Sequence, residues 1–277
     1  MTQTAYPRVE ELQAAARALA DGHFRGPAPT PPTPAIAAPI VLDGSATWST
    51  DRRVLPVLGT GGGSGATTLA LALATVAGPS RVIECCSMSA TGLAEAATAE
   101  LGVDTDGWSN GTRDHVTVSR STALFTGPAE VPTPTALDAP GLDVLDVGWF
   151  LHHLQAATGW ISEQLLKAPV VVVTATASVP SLRRLENTVT DLPASTTALL
   201  AVRSCGSKRL PAHVRSAIGP ATRARITDGC WVEIPHEKDL AERGLSGTPL
   251  PRSLLTAAHQ IAQLAAVGET TPKGHLA

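Results

Sequence analysis

Apolar residues fall into two rhythms along this chain. Short continuous runs rich in valine, isoleucine and leucine predict strands at 53–58, 81–86, 115–119, 142–147, 169–175, 197–203 and 230–234. Between them, apolar residues recur every three or four positions and predict helices at 66–77, 91–101, 150–166, 180–191, 211–218, 237–243 and 251–266. Runs such as Val170-Val171-Val172-Val173 show no polar alternation, the mark of parallel strands covered on both faces. This order predicts an α/β fold, a doubly wound, mostly parallel sheet with helices on both faces. Pro56 fits badly, because proline supplies no ladder donor inside a central strand.

Ahead of this alternation, residues 8–20 predict an amphipathic helix with Val9, Leu12, Ala16 and Leu19 on one face. Gly22 and Gly26 end it, and Pro27-Ala-Pro-Thr-Pro-Pro-Thr-Pro follows as a stiff, extended linker. The expected organisation is an N-terminal helix within 1–25, a linker at 26–40, the α/β domain at 41–267 and a disordered polar tail at 268–277. A helix tethered in this way suits docking on a protein partner, and equally suits folding back on its own domain.

Composition narrows the class without naming a chemistry. The 277 residues are 43% hydrophobic, enough for one large α/β domain with a full core. A net charge of −3 argues against a globally basic nucleic-acid binder and leaves DNA contact to a local patch. No apolar run approaches the ~20 residues of a membrane-spanning helix. The N-terminus lacks the basic-then-apolar order of a secretory signal, so a cytoplasmic protein is expected. Cys85, Cys86, Cys205 and Cys230 form no Cys-x-x-Cys pair and are expected to be free thiols.

The chemistry concentrates between the first strand and the first core helix. Residues 59–68 read Gly-Thr-Gly-Gly-Gly-Ser-Gly-Ala-Thr-Thr, a glycine-rich turn opening a helix, which is how a chain cradles phosphate. One reading is a dinucleotide site. Gly61 to Ala66 fits G-x-G-x-x-A, and Glu84 ends the next strand where a ribose-binding acid belongs. A short-chain dehydrogenase also needs a Tyr-x-x-x-Lys pair, and Tyr6 is the only tyrosine. The other reading is a P-loop. Backbone N–H groups of Gly62, Gly63, Ser64, Gly65, Ala66 and Thr67 would then wrap the phosphates, and Thr67 and Thr68 would open the helix. A third reading needs no ligand, since a glycine-rich turn also permits close strand–helix packing. Asp146 likewise suits capping of the helix expected at 150–166, and Glu84 a structural role.

Residues Gly61-Gly62-Gly63-Ser64-Gly65-Ala66-Thr67-Thr68 resemble the Lys-Gly-Gly-x-Gly-Lys-Thr-Thr loop of the ParA/MinD family of deviant-Walker P-loop ATPases. Gly61 and Ala66 stand where that family has its two lysines. Arg81-Val-Ile-Glu84-Cys-Cys86 is similar to the family's second strand, which ends Asp-x-Asp, with Cys86 in place of the second acid. Leu142 to Asp146 is similar to its Walker B strand. Ile234-Pro235, followed by Gly247-Thr-Pro249, is similar to the segment that runs beside the adenine base. The resemblance covers about residues 53–266.

What the resemblance implies is a nucleotide site for ATP or ADP, with Gly62 to Thr68 and Pro235 on the nucleotide and Thr67 and Asp146 on Mg²⁺. It also implies a role in positioning cargo, as a plasmid partition, conjugation or secretion protein, in which the family acts as homodimers on DNA, membrane or a protein partner. Both family lysines and the second acid are missing, replaced by Gly61, Ala66 and Cys86. Weak or absent hydrolysis is therefore expected, since one lost transition-state donor costs about a hundred- to a thousandfold in rate. The chain is thus read as a pseudo-ATPase scaffold. A slow, genuine ATPase drawing a cation from Arg81, Arg120 or Arg203 is the alternative, and an NAD-type oxidoreductase a more distant one.

Overall fold

The computed structural model describes residues 9–21, 47–204 and 210–270. The chain divides into two compact units, residues 1–41 and 42–277. In the first, Val9–Ala20 forms helix α1. The proline-rich linker expected at 26–40 lies outside the described residues, as do Cys205 and residues 271–277 of the expected tail.

The second unit is an α/β domain built on one nine-stranded sheet in the order β3-β4-β5-β2-β6-β1-β7-β8-β9. Its strands are β1 (Arg53–Gly59), β2 (Ser80–Glu84), β3 (Ala99–Val103), β4 (Trp108–Arg113), β5 (Val116–Ser121), β6 (Leu142–Asp146), β7 (Val170–Thr176), β8 (Thr197–Arg203) and β9 (Trp231–Ile234). Pairing is parallel from β5 to β9, and antiparallel only where β3 and β4 meet β4 and β5 at one edge. From β1 the parallel strands are laid down to both sides, β2 and β6 on one and β7, β8 and β9 on the other, and helices cover both faces.

Helices α2 (Ala66–Val76) and α9 (Arg252–Thr270) cover one face. Leu69, Leu73, Ala258 and Ile261 pack there with Leu55, Val57, Val82 and Val144. Helices α3 (Leu151–Ala156), α4 (Trp160–Lys167) and α5 (Val179–Asp191) cover the other. Leu154, Ile161, Leu182 and Leu185 pack there with Leu58, Ile83, Leu145 and Val173. Alternate residues of β1 thus enter opposite cores, as the pleat requires. Burying each leucine, isoleucine or valine among them contributes about 1.5–3 kcal/mol. The short helices α6 (Ala212–Arg215), α7 (Pro220–Thr227) and α8 (Lys238–Arg243) complete the unit.

The awkward Pro56 is accommodated by register. The Thr60 N–H donates to Thr174 of β7, and alternation along β1 turns Pro56 to that same side. Pairing of β1 with β7 begins only at Val57 with Val172, so the missing donor falls at the unpaired start of that ladder.

Four expectations about elements are corrected. The helix expected at 91–101 is a 3₁₀ turn at Leu93–Ala96 followed by β3, and β4 was not foreseen. The helix expected at 150–166 is broken, because Ala157 is extended and Gly159 takes φ 128°. Helix α7 had no counterpart in the periodicity. Helix α9 runs through Thr270, past Gly268, where a polar tail was expected to begin.

Candidate functional site

In an open parallel sheet, ligands bind beyond the carboxyl ends of the strands, and the chain's candidate residues gather at that end. Strand β1 delivers the chain into the loop at Gly59, where a Cβ would stand 2.7 Å from Ser64 Oγ. The loop is tied down behind. Thr174 Oγ1 donates to Ser64 Oγ at 2.9 Å, and the hydroxyls of Thr60 and Ser181 lie 3.3 Å apart.

Gly63 and Gly65 take φ of 71° and 90°, which side chains avoid, and Gly65 leads straight into α2. No side chain caps that helix. Its first intrahelical bond is Leu69 N–H to Gly65 O, leaving the N–H groups of Ala66, Thr67 and Thr68 without an intrahelical partner. A Cβ on Gly62, Gly63 or Gly65 would meet nothing within 4 Å. These three glycines serve backbone shape and open access, whereas Gly59 is held by close packing against Ser64.

The space they open is a cavity of about 400 Å³ lined by the loop, Thr67, Thr91, Asp146, Gly148 and Trp149. Asp146 ends β6 and is 1% exposed, yet neither of its carboxylate oxygens has a hydrogen-bond partner. Burial pushes its pKa up to about 7; the Thr67 hydroxyl approaches closely enough to lower it, and Glu84 raises it further. The Thr67 hydroxyl does not reach hydrogen-bond geometry on either oxygen. Helix α3 is preceded by Phe150, so Asp146 does not cap it.

Glu84 pairs in register with Asp146 and is fully buried. One of its oxygens accepts from the Thr91 hydroxyl and the other has no partner. Burial raises its pKa, against the lowering influence of Thr91 and Arg120. Asp146 borders the cavity with two unsatisfied oxygens, and a divalent cation there would favour the charged carboxylate that burial disfavours. Among the described residues no three His, Cys, Asp or Glu side chains converge on one point. A Mg²⁺ ion held by Asp146 and Thr67 would therefore take its remaining oxygens from water and phosphate, as that ion commonly does.

Cys86 is a buried neutral thiol, its pKa raised by burial, Asp146 and Glu84. Gly148, at φ 67°, lies so close that a Cβ there would collide with Cys86 Sγ. Beside it, Trp149 Nε1 donates to Cys85 O at 2.6 Å. Pro235 is separate from the large cavity. With Arg203 and Glu237 it lines a small cleft of about 60 Å³ against Ser64, Gly65 and Thr68.

Of the arginines named as sources of charge, only Arg203 borders the loop, through that small cleft. Arg81 and Arg52 both bind Asp143, at 2.8 and 2.7 Å, near the opposite ends of their strands. Arg120 pairs with Glu100 at 2.5 Å. The structure instead brings Arg184 of α5 to the loop. A Cβ on Gly61 would meet its guanidinium at 3.3–3.4 Å. Thr91, Trp149 and Arg184 were all missed by sequence reasoning. None of the three sits in a local motif, so spacing along the chain gave no signal for them.

No family model and no curated protein matches the sequence. Solved structures do. A proposed plasmid partition protein of Borrelia burgdorferi bound to AMPPNP is 12% identical with a TM-score of 0.44, the match covering 79% of this chain and 99% of that one. Apo McdA of Cyanothece is 14% identical with a TM-score of 0.49, covering 78% and 99%. The septum site-determining protein MinD of Pyrococcus horikoshii, complexed with Mg-ADP, is 13% identical with a TM-score of 0.46, covering 79% and 100%. The fold assignment rests on this chain's own strand order and loop.

Proposed function

We propose that this chain is a ParA/MinD-like nucleotide-binding protein with weak or absent ATP hydrolysis, acting as a positioning, partition or regulatory scaffold. The observation that carries the reading is Asp146, buried and unpartnered at the wall of a cavity that the glycine loop opens. Phosphate on the loop amides from Gly62 to Thr68, with Mg²⁺ between Thr67 and Asp146, would satisfy both at once. Pro235 would border the rest of the nucleotide through the neighbouring cleft.

Hydrolysis asks for more than binding does. Phosphoryl transfer is mostly positioning and charge stabilisation, and here Gly61 and Ala66 bring no charge. Cys86 is a neutral thiol and offers no base for water. Retained binding without turnover suits a scaffold whose state is set by occupancy. Plasmid, conjugation or secretion cargo, a homodimer and DNA contact belong to this proposal as what the family resemblance implies, while a protein partner on α1 and a cytoplasmic setting belong to it on the sequence pattern alone. Among the described residues no helix is long and apolar enough to cross a membrane.

Calorimetric titration of the full chain with ATP·Mg²⁺, ADP·Mg²⁺ and NAD⁺, alongside a phosphate-release assay, tests the reading. Binding of both adenine nucleotides, lost in Thr67→Ala and Asp146→Ala, with no phosphate release above background, is the expected result. Turnover that disappears in either variant would make the protein a slow, genuine ATPase. Binding of NAD⁺ alone would move it to the oxidoreductases, and silence towards all three would leave a nucleotide-free scaffold.

A further inference from the structure

The face of α5 that meets the loop is fixed by its first turn. Ser181 Oγ accepts the Thr176 N–H at 2.9 Å and lies 3.3 Å from the Thr60 hydroxyl. A helix returns to the same face after three or four residues, so Arg184 and Leu185 follow Ser181. Leu185 is buried in the core on that side. Arg184 is exposed, and its guanidinium lies across Gly61. Nη2, Cζ and Nε stand 3.3, 3.4 and 3.4 Å from the point a Cβ on Gly61 would occupy. Three nearly equal distances mean the group presents its flat side to that point. Any side chain at 61 would press on it, so glycine there leaves the guanidinium its seat.

The same guanidinium makes no hydrogen bond or ion pair with any described residue. The contrast with the buried arginines is sharp. Arg52 and Arg81 are committed to Asp143, Arg120 to Glu100, and Arg113 to the carbonyls of Ala96, Ser246 and Thr248. Five N–H donors with no acceptor among the described residues, held over a residue that itself lines the Asp146 cavity, match an anionic oxygen in both charge and shape.

We propose that Arg184 supplies in cis the positive charge that Gly61 and Ala66 do not, donating to the phosphate oxygens of a di- or triphosphate bound at the loop. This rests on the nucleotide reading above and adds to it the cation. It also places that cation within the same chain, so the charge at the site does not depend on a second copy. Arg184 is a binding residue in this scheme, and nothing in it requires hydrolysis.

Calorimetric titration of ATP·Mg²⁺ and of adenosine into the wild-type protein, Arg184→Ala, Arg184→Lys and Arg183→Ala tests it. Arg183 is the neighbouring exposed arginine on α5 and controls for a simple loss of charge. Arg184→Ala is expected to weaken ATP·Mg²⁺ at least about tenfold, the range for hydrogen bonds to charged groups, while adenosine changes less than about twofold. Arg184→Lys should recover part of the loss, because it keeps the charge without the fork. Thermal melting of each variant confirms an unchanged fold. ATP·Mg²⁺ affinity within about twofold of wild type in Arg184→Ala, an equal loss in Arg183→Ala, or an equal loss for adenosine would each overturn the assignment. Failure of the wild-type protein to bind ATP·Mg²⁺ would instead remove the nucleotide reading, and this one with it.

Discussion

Asp143 and Asp146 stand three residues apart on β6, turned to opposite faces of the sheet by the pleat. Asp143 is fully buried and held by two guanidinium groups that are themselves 4% and 2% exposed. Removing one partner of such a cluster strands the remaining charge. Asp143→Ala leaves Arg52 and Arg81 buried without their acid, and a loss of about 3–5 kcal/mol is expected in urea denaturation. Asp146 has nothing comparable to lose, since its oxygens are unpartnered before any substitution. Gly148, two residues beyond it, is constrained by space. Alanine there would force a left-handed backbone and drive its Cβ into Cys86 Sγ. Backbone strain alone costs about 1–3 kcal/mol, and the contact adds to it. A lower melting temperature in Gly148→Ala, little relieved by Cys86→Ala because Cys86 Cβ also lies 2.6 Å away, is the expected pattern.

Elements show why part of the fold was legible and part was not. Strands β1, β2, β6, β7 and β8 are apolar runs entering two cores, so their sequences carry the burial pattern directly. Strand β3 is exposed along its whole length, and nothing in its burial separates it from a helix surface. Its signal lay in the turn. Asp104 Oδ1 accepts the N–H groups of Asp106 and Trp108, and Gly107 takes φ 83°, the chemistry of a tight hairpin. Helix α7 was hidden for a different reason, as its start is fixed from another element. Glu186 of α5 accepts the N–H groups of Ala221 and Thr222 at 2.8 and 2.9 Å, and Gly219 leaves room for that carboxylate. Burial pushes the Glu186 pKa up, but these backbone donors and Arg223 outweigh it and bring it below its ordinary value. An acid whose folded pKa is depressed stabilises the protein above its unfolded pKa and loses that contribution as pH falls through the folded value. Glu186→Gln is therefore expected to cost about 1 kcal/mol at neutral pH, as a lost cap does. The gap between the variant and wild type in urea midpoints should close as the pH falls below the ordinary glutamate range.

At the scale of the whole molecule, the site joins parts that sequence order keeps far apart. The loop follows β1, Asp146 ends β6, Thr91 follows β2 and Arg184 rides on α5. The loop and the acids were readable because each is a local motif at a strand end. The position of Arg184 depends on how α5 packs beside β1, which no spacing along the chain encodes. Without ligand this region holds unsatisfied buried oxygens and a helix N-terminus without a cap, so it is the part of the domain with most to gain from occupancy. A ligand that binds only the folded state stabilises it by RT ln(1 + [L]/Kd), about 2.7 kcal/mol at a hundredfold excess over Kd. For a domain of this size each kcal/mol raises the melting temperature by about 2–4 °C. ATP·Mg²⁺ at that excess should therefore raise the midpoint by about 5–10 °C. The shift should shrink when Mg²⁺ is chelated, because phosphate and Asp146 would then face each other without the cation between them. It should vanish in Thr67→Ala, and NAD⁺ should produce none. An equal shift with and without Mg²⁺ would mean that Asp146 is not the metal-holding acid, whatever else the loop binds.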